Sequence, residues 1–409
     1  MIALGRLRAR QAVDSEIKIW KVRLLFAPSA SARLPMSYVV EINDREQLAE
    51  LRLTWNKLLQ VTPRATFFQS LDWLLTFWRH FGEQNRFRVL VVHSYDGPIG
   101  ILPLWIARQP TRLGVIRTLT YPLLDWGTFY GPLGAQPTAT LIAALGHLRR
   151  TPRDWDLLEL GWTAATIDRG RTPRAMEIAG LQPCEPMRDR DVSLIDLAGD
   201  WDSYWAARTS RWRNNVRRSE KKLAEHGQIG YQRHRPRSLA DGDGDPRWDL
   251  FEACLNVAAA SWQGASETGN TLTHAAVLPF LRDAHEVAAR NGALDINLLT
   301  LDGQPIAFNY AYHFQGYLFG LRTGYDPALG ADGAGSVLQA KTIADSFTRG
   351  DRLYDLGADY RDCKRYWVTN VEQSRTYAAF AQRSPRGSLL RIKRLWSGWR
   401  RWSPKLSTT

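Results

Sequence analysis

Cysteine is scarce, three residues in 409 (Cys184, Cys254 and Cys363), and no two of them form a Cys-x-x-Cys pair. Neither a disulfide framework nor a local zinc module can be built from that set, and a reducing cytoplasm is the compartment expected. Long apolar runs are missing as well. The stretch from Ile99 to Ala107 is interrupted by Gly100 and Pro103, far short of the roughly 18 apolar residues of a membrane span. Residues 1–28 interleave charge with every short apolar run, unlike a secretory signal. Acidic residues are absent from 383–409, which hold eight Lys/Arg, while residues 1–35 hold seven Lys/Arg against two acids. These two ends carry the whole formal charge of +13, and residues 36–382 have 39 basic and 39 acidic residues. A polyanion track over the body is therefore excluded, and nucleic acid is not an expected partner.

What is present is ordinary globular composition, 44% apolar and 23% charged, in a chain long enough for two or three domains. Residues 1–35 show no clean helical or strand period and read as a flexible basic extension, with better patterning from Met36 onward. Residues 87–93 (FRVLVVH) read as a strand, Tyr95-Asp96-Gly97-Pro98 as a turn and Ile99 to Ile106 as its partner. The same unit recurs 206 to 207 positions later in residues 294–300 (LDINLLT), the turn Leu301-Asp302-Gly303-Gln304, and Pro305 to Phe314. Trp155 to Gly161 (WDLLELG) recurs as Leu353 to Gly357 (LYDLG), 196 positions on. Matches in the same order at nearly equal offsets indicate duplication. The expectation is an α/β chain with mixed sheets: an N-terminal unit over 36–190, a C-terminal unit over 191–382 and a basic aromatic tail over 383–409.

In the second unit a strand at Tyr317 to Thr323 runs into GYDPALGADGAGS and a helix from Val337 to Phe347. Gly330, Gly333 and Gly335 permit a sharp turn, Ser336 is a suitable N-cap, and first-turn amides there make an anion cradle or a plain strand-to-helix connection. The run DYRDCKRYW follows the next strand. Asp359 there is a candidate proton acceptor, Tyr360 a hydroxyl donor, Lys364 a cation and Trp367 a stacking face, or the run is a charged loop. Residues 210–226 read as a basic helix docked by Trp212, Val216 and Leu223, with Arg213 and Arg217 among its phosphate-binding candidates. Trp126 and Tyr130 belong to an aromatic loop suited to stacking on a sugar, covering an acyl chain or packing between the units. No metal is expected. The acidic run from Asp241 carries Pro246 where a calcium loop needs glycine, and His226, His234 and His313 lack ligand spacing.

Taken in order, Phe68-Gln69-Ser70-Leu71-Asp72-Trp73, DGPIG, WDSYWAARTSRWRNNVRRSEKKL, Ser261-Trp262, DGQPIA, GYDPALGADGAGSVL and YDLGADYRDCKRYW resemble GNAT-superfamily acyltransferases. The resemblance, over about residues 36–382, is to the type associated with bacterial cellulose and exopolysaccharide biosynthesis, related to the Fem peptidoglycan aminoacyltransferases. It implies two tandem GNAT-like units. It also implies an acetyl-CoA or other acyl-CoA co-substrate whose thioester lies beside the backbone of Leu321, Arg322 and Thr323, with its pyrophosphate on Gly330, Gly333, Ala334, Gly335 and Ser336. The acceptor, a sugar or envelope precursor, is expected between the units, near Trp126, Tyr130, Arg213, Arg217, Trp262, Lys364 and Trp367. The catalytic candidates are Asp359 as base and Tyr360 or Tyr325 as acid. The usual GNAT loop carries a basic residue where this one has none and instead holds Asp332. An aminoacyl-tRNA donor and a non-catalytic subunit of a polysaccharide synthesis complex are the alternatives. In the tail, Leu389, Ile392, Trp396 and Trp399 form a stripe flanked by Arg391, Lys393, Arg394, Arg400 and Arg401. Such a helix suits the surface of an anionic membrane, placing the protein peripherally on its inner face, or docks on protein.

Overall fold

The computed structural model describes residues 20–21, 37–83, 85–111, 114–184, 188–266, 271–359, 361–381 and 387–389. A two-residue strand β1 (Trp20–Lys21) precedes β2 (Tyr38–Ile42), after which α1 (Arg45–Glu50), α2 (Arg52–Gln60) and α3 (Leu71–Phe81) lead to the first hairpin. That hairpin is β3 (Arg86–Ser94) and β4 (Gly97–Thr111), continued by β5 (Gly114–Thr120). The helix α4 (Pro137–Arg150) crosses to β6 (Leu157–Ala164), and α5 (Ala165–Asp168) and α6 (Arg171–Ile178) lead to β7 (Arg188–Asp196). The second half opens with α7 (Trp201–Ala206), α8 (Ser210–His226), β8 (Ile229–His234), α9 (Trp248–Ala260) and α10 (Leu278–Arg290). It then repeats the sequence of elements: β9 (Leu294–Leu301), β10 (Gln304–Phe314), β11 (Tyr317–Tyr325), α11 (Pro327–Gly330), α12 (Ala334–Thr348), β12 (Leu353–Ala358), α13 (Arg361–Lys364) and β13 (Asn370–Phe380).

The two halves are tandem units of one mixed α/β design. In each, an antiparallel meander ends in a helical crossover to a parallel strand, β5 beside β6 and β11 beside β12. The hairpins lie where the repeat puts them. Asp302 and Gly303 both take positive φ, 49° and 81°, the backbone of a two-residue turn whose twist matches the strands it joins. The described strands form one sheet in the order β1-β2-β3-β4-β5-β6-β13-β7-β12-β11-β10-β9-β8. At its centre the last strands are exchanged: β7 pairs with β12 of the second unit, and β13 pairs with β6 of the first. The expected boundary at residue 190 falls inside β7, which pairs with β12 and β13. Trp20 and Lys21, within the expected flexible basic extension, pair with Val39 and Tyr38 at the sheet edge. The rest of 1–35, and the tail apart from residues 387–389, lie outside the described residues. Among the described residues no helix is long and apolar enough to cross a membrane.

The motif from Phe68 to Trp73 turns out to be inter-unit core. Ser70 accepts the amide of Trp73 at 3.1 Å and starts α3, which turns Phe67, Phe68 and Trp73 toward the other unit. Phe67 meets Tyr312 at 4.8 Å, Trp73 meets Phe280 at 5.3 Å and Phe68 meets Phe319 at 6.2 Å. Buried aromatics with edge-to-face contacts are among the largest single contributors to such an interface. At the far edge, Arg233 forks onto Asp295 at 2.9 to 3.1 Å, and Arg235 donates to both oxygens of Asp351 at 2.7 Å. This network ties β8 and β9 to the loop before β12. Burial pushes both carboxyls upward, but the facing arginines outweigh it and hold Asp295 and Asp351 below the usual carboxylate range.

A folded-state pKa below the unfolded value gives stability that is present above the unfolded value of about 4 and is lost as pH falls. Urea unfolding between pH 7 and pH 3 is therefore expected to show stability dropping below about pH 4, more steeply in the wild type than in Asp351→Asn. At pH 7, Asp295→Asn is expected to cost about 3–5 kcal/mol, because it leaves guanidinium charge buried and under-compensated.

Candidate active site

The parallel pairing of β11 with β12 runs through Tyr317–Leu353, Leu318–Tyr354 and Phe319–Asp355 and then stops, although β11 continues to Tyr325 and β12 to Ala358. Gly320 permits the last close approach: a Cβ there would stand 3.1 Å from the carbonyl of Asp355. Beyond it the strands splay, and the backbone of Leu321, Arg322 and Thr323 borders the gap, Arg322 and Thr323 pairing with Tyr310 and Asn309 of β10 and Leu321 falling at the irregularity in that pairing. A register shift between Tyr310 and Ala311 interrupts that β10 ladder, and such bulges increase local twist. The carbonyl of Thr323 is taken by Nε2 of the buried Gln263 at 3.2 Å, in the turn that also carries the exposed Trp262. Tyr325, 43% exposed at the end of β11, has ring carbons 3.5 Å from where side chains at Gly330 and Gly335 would begin.

The loop after β11 differs from the sequence reading in one respect. Gly333, at φ 95°, is the residue that caps α12, and the helix starts at Ala334. Gly335 and Ser336 therefore lie in the first turn, and the amide of Ser336 already reaches the carbonyl of Gly333 at 2.9 Å. The first-turn amides keep the open ends of any helix start. Basic side chains reach this loop from α8. Its Ser219 packs against Gly333, Lys222 meets Asp332 at 3.1 Å and His226 meets it at 3.5 Å. Asp332 is thereby matched in charge, and Arg217 stays exposed on the same helix.

The first unit reaches across the splay. Residues 121–130 run as a strap over the middle of the sheet. The Tyr130 amide donates to the Trp162 carbonyl on β6 at 2.7 Å, and the Thr128 carbonyl accepts from the Ser374 hydroxyl on β13 at 2.8 Å. The Thr128 hydroxyl donates to Asp355 on β12, and the buried Trp126 lies under the Arg322 guanidinium on β11 at 4.3 Å. Asp355, which also accepts the Gly357 amide at 2.6 Å, is held above the usual carboxylate range by burial. Asp359 stands just past the splay at φ 57°, half exposed, its carboxylate 3.9 Å from Nε of Arg190.

Four substrate candidates are placed otherwise than expected. Lys364 points inward and donates to the carbonyls of Gly357, Ala358 and Asp359, each at 3.0 Å. It closes the end of β12 and is not a free cation, and burial lowers its pKa. Trp367 is buried against Trp205 and Trp212, so it is core and offers no stacking face. Arg213 donates to the carbonyls of Ala206 and Arg208 at 2.5 and 2.9 Å and so closes the C-terminus of α7. Tyr130 is buried in the first unit, beside Tyr121 at 4.7 Å. Tyr360 lies outside the described residues. Sequence reasoning missed Thr128, Gln263 and Asp355, whereas Lys222 belongs to the basic residues of 210–226 that the sequence offers for phosphate. Only Asp355 left a signal, since Glu159 occupies the same place in the repeat, opposite Thr120 at the last parallel pair of the first unit. Among the described residues no group of three or more His, Cys, Asp or Glu is placed to hold a metal.

Residues 210–365, from the start of α8 to just past α13, match the family model described as an acetyltransferase (GNAT) domain. No significant match is found among curated proteins. Of the solved structures, FemX is similar in fold, with a TM-score of 0.57 at 9% identity over 84% of this chain and 98% of that one. A tandem GNAT protein from the clavulanic acid biosynthesis pathway aligns with a TM-score of 0.48 at 12% identity, over 85% of this chain and 99% of its own length.

Two glycines in the loop are expected to respond in opposite ways to alanine. At Gly333 the positive φ and the Ser219 hydroxyl 2.4 Å from the new Cβ make Gly333→Ala destabilising by about 1–2 kcal/mol. At Gly335 the new methyl meets only the Tyr325 ring at 3.5 Å, so Gly335→Ala is expected to stabilise the helix by about 0.5–1 kcal/mol. Denaturant unfolding of the two variants checks the contrast.

Proposed function

We propose that the chain is an acyltransferase that moves an acyl group from acyl-CoA to an amine or hydroxyl of a sugar or cell-envelope precursor. The observation that carries this reading is the splay itself: a one-sided strand edge at Leu321 to Thr323 leads directly to the N-terminus of α12, where Lys222 flanks the open amides. That edge suits hydrogen bonds to a pantetheine arm, and the helix start suits its pyrophosphate. The match of residues 210–365 to an acetyltransferase (GNAT) domain supports the same assignment.

In the proposed reaction the acceptor nitrogen or oxygen attacks the thioester carbonyl, a C–N or C–O bond forms and the C–S bond breaks. Asp359 takes the acceptor proton, Tyr325 or Tyr360 returns one to the departing thiolate, and backbone amides at the splay receive the negative charge on the oxygen. Arg322, lying over the buried Trp126, borders the acceptor side. An aminoacyl-tRNA donor is the second reading, supported by the fold similarity to FemX. The balanced charge of residues 36–382 weighs against so large a polyanion.

Thermal shift with acetyl-CoA, free CoA and charged tRNA separates these readings, since a ligand at 100 times its Kd adds about 2.7 kcal/mol of stability. Acetyl-CoA and CoA are expected to stabilise the chain, and Gly335→Val or Lys222→Glu to weaken that effect; stabilisation by charged tRNA alone would support the second reading. Asp359→Asn is expected to bind CoA normally and to lower turnover by a factor of about 10²–10⁴. Near-normal turnover would remove Asp359 from the mechanism.

A further inference from the structure

The N-terminal unit holds a cleft that acyl transfer at the splay does not use. It lies at the start of α4, where Pro137 and Leu141 face the end of β6 and the turn from α5 to α6, and it has about 600 Å³ of space including its mouth. In the repeat this is the place of the glycine loop, with α4 matching α12 and β6 matching β12. Its chemistry is different. Pro137 removes an amide from the first turn of α4, and the gap between β5 and β6 is crossed by the strap through Tyr130. The helix start is therefore poorer in backbone donors than that of α12, and the polar groups of the cleft are side chains.

Two of those side chains have buried atoms without a hydrogen bond. Arg64 pairs with Glu372 of β13 through Nη1 alone and lies 4.4 Å from the Phe129 ring, while its Nε and Nη2 are buried with no hydrogen bond. The Tyr130 hydroxyl, on a residue 5% exposed, is likewise buried and unbonded. Several other polar side chains of the cleft are bonded within the protein. Asp168 accepts the amide and hydroxyl of Thr172 at 3.0 and 2.6 Å, and Gln69 joins the Thr66 amide to the Gly131 carbonyl. Arg64 also has φ 53°, a backbone state that non-glycine residues rarely hold and that recurs at ligand clamps.

Nε and Nη2 form one edge of the guanidinium, the edge that a planar carboxylate meets with two parallel hydrogen bonds. Glu372 already offsets the charge of Arg64, and Asp168 balances Arg171 in the same lining, so the cleft has no surplus positive charge for a dianion such as phosphate. Tyr121, Phe129, Leu141 and Ile167 supply apolar walls. We propose that this cleft binds a small monoanionic carboxylate with an apolar body, its carboxylate on the free edge of Arg64 and within reach of the Tyr130 hydroxyl. Both groups lie just beneath the cleft surface, so binding includes a side-chain adjustment where Phe129 stacks on Arg64. The site does not depend on the acyl-CoA reading, and failure of CoA to bind elsewhere leaves it intact.

The test is calorimetric titration of the full chain, without CoA, using hexanoate and phenylacetate against hexanamide, phenylacetamide and inorganic phosphate. The acids are expected to bind at least about tenfold more tightly than their amides, the charge-assisted pair being the difference. Phosphate is expected not to compete. Arg64→Gln should abolish the preference for acids, Tyr130→Phe should weaken acid binding several-fold with the melting temperature unchanged, and Ile167→Trp should block the cleft. If Arg64→Gln does not fold, the other two variants decide. No binding of either acid at millimolar concentration, equal binding of acids and amides, displacement by phosphate, or unchanged affinity in Ile167→Trp would each overturn the proposal.

Discussion

A parallel strand reached by a helical crossover leaves its outer edge lined with unpaired amides and carbonyls, and each half of this chain carries one such strand, β6 and β12. Neither half closes its own edge. β7 leaves the first unit to pair with β12, β13 leaves the second to pair with β6, and the two pair with each other between them. Separating the halves would expose these edges together with the aromatic layer of Phe67, Phe68, Trp73, Phe280 and Tyr312. The cost of unpaired buried backbone groups and exposed aromatic surface makes the two units interdependent.

That exchange brings the strap of the first unit over the splay of the second. Residues 126–130 touch β6, β13, β12 and β11 in turn, so the surroundings of Asp355 and Arg322 are built from both halves. The first unit's own splay is crossed by the same strap, and this is why the repeat does not yield two equal sites. A glycine loop at the start of α12 and a Pro-led start of α4 are the local counterparts of that asymmetry.

Much of this was legible along the chain. The hairpins with Asp-Gly turns, the duplicated order of elements, and the single narrow stripe of α8 with Val216 and Leu223 buried all appear where periodicity and turn chemistry put them, while the strand expected to end at Thr323 runs on to Tyr325. The errors share one cause. Lys364, Arg213 and Trp367 are residue types that suit ligands, but they are equally suited to closing carbonyl ends and filling a core, and their neighbours in space are remote or oriented by local turns. Ser336 is a good cap in isolation; Gly333 takes the role because its positive φ begins the helix three residues earlier.

Local order thus follows from sequence, because strand alternation, glycine turns and helix periods are set by residues close together in the chain. So does the tandem design, since a repeat is visible without contacts. The partners of charged and hydroxyl groups were decided only by tertiary structure: Lys222 on Asp332, Thr128 on Asp355, Arg64 on Glu372. Each of these pairs spans 110 or more positions of chain, a separation at which no local propensity acts and only the packing of one unit or element against another selects which side chains meet.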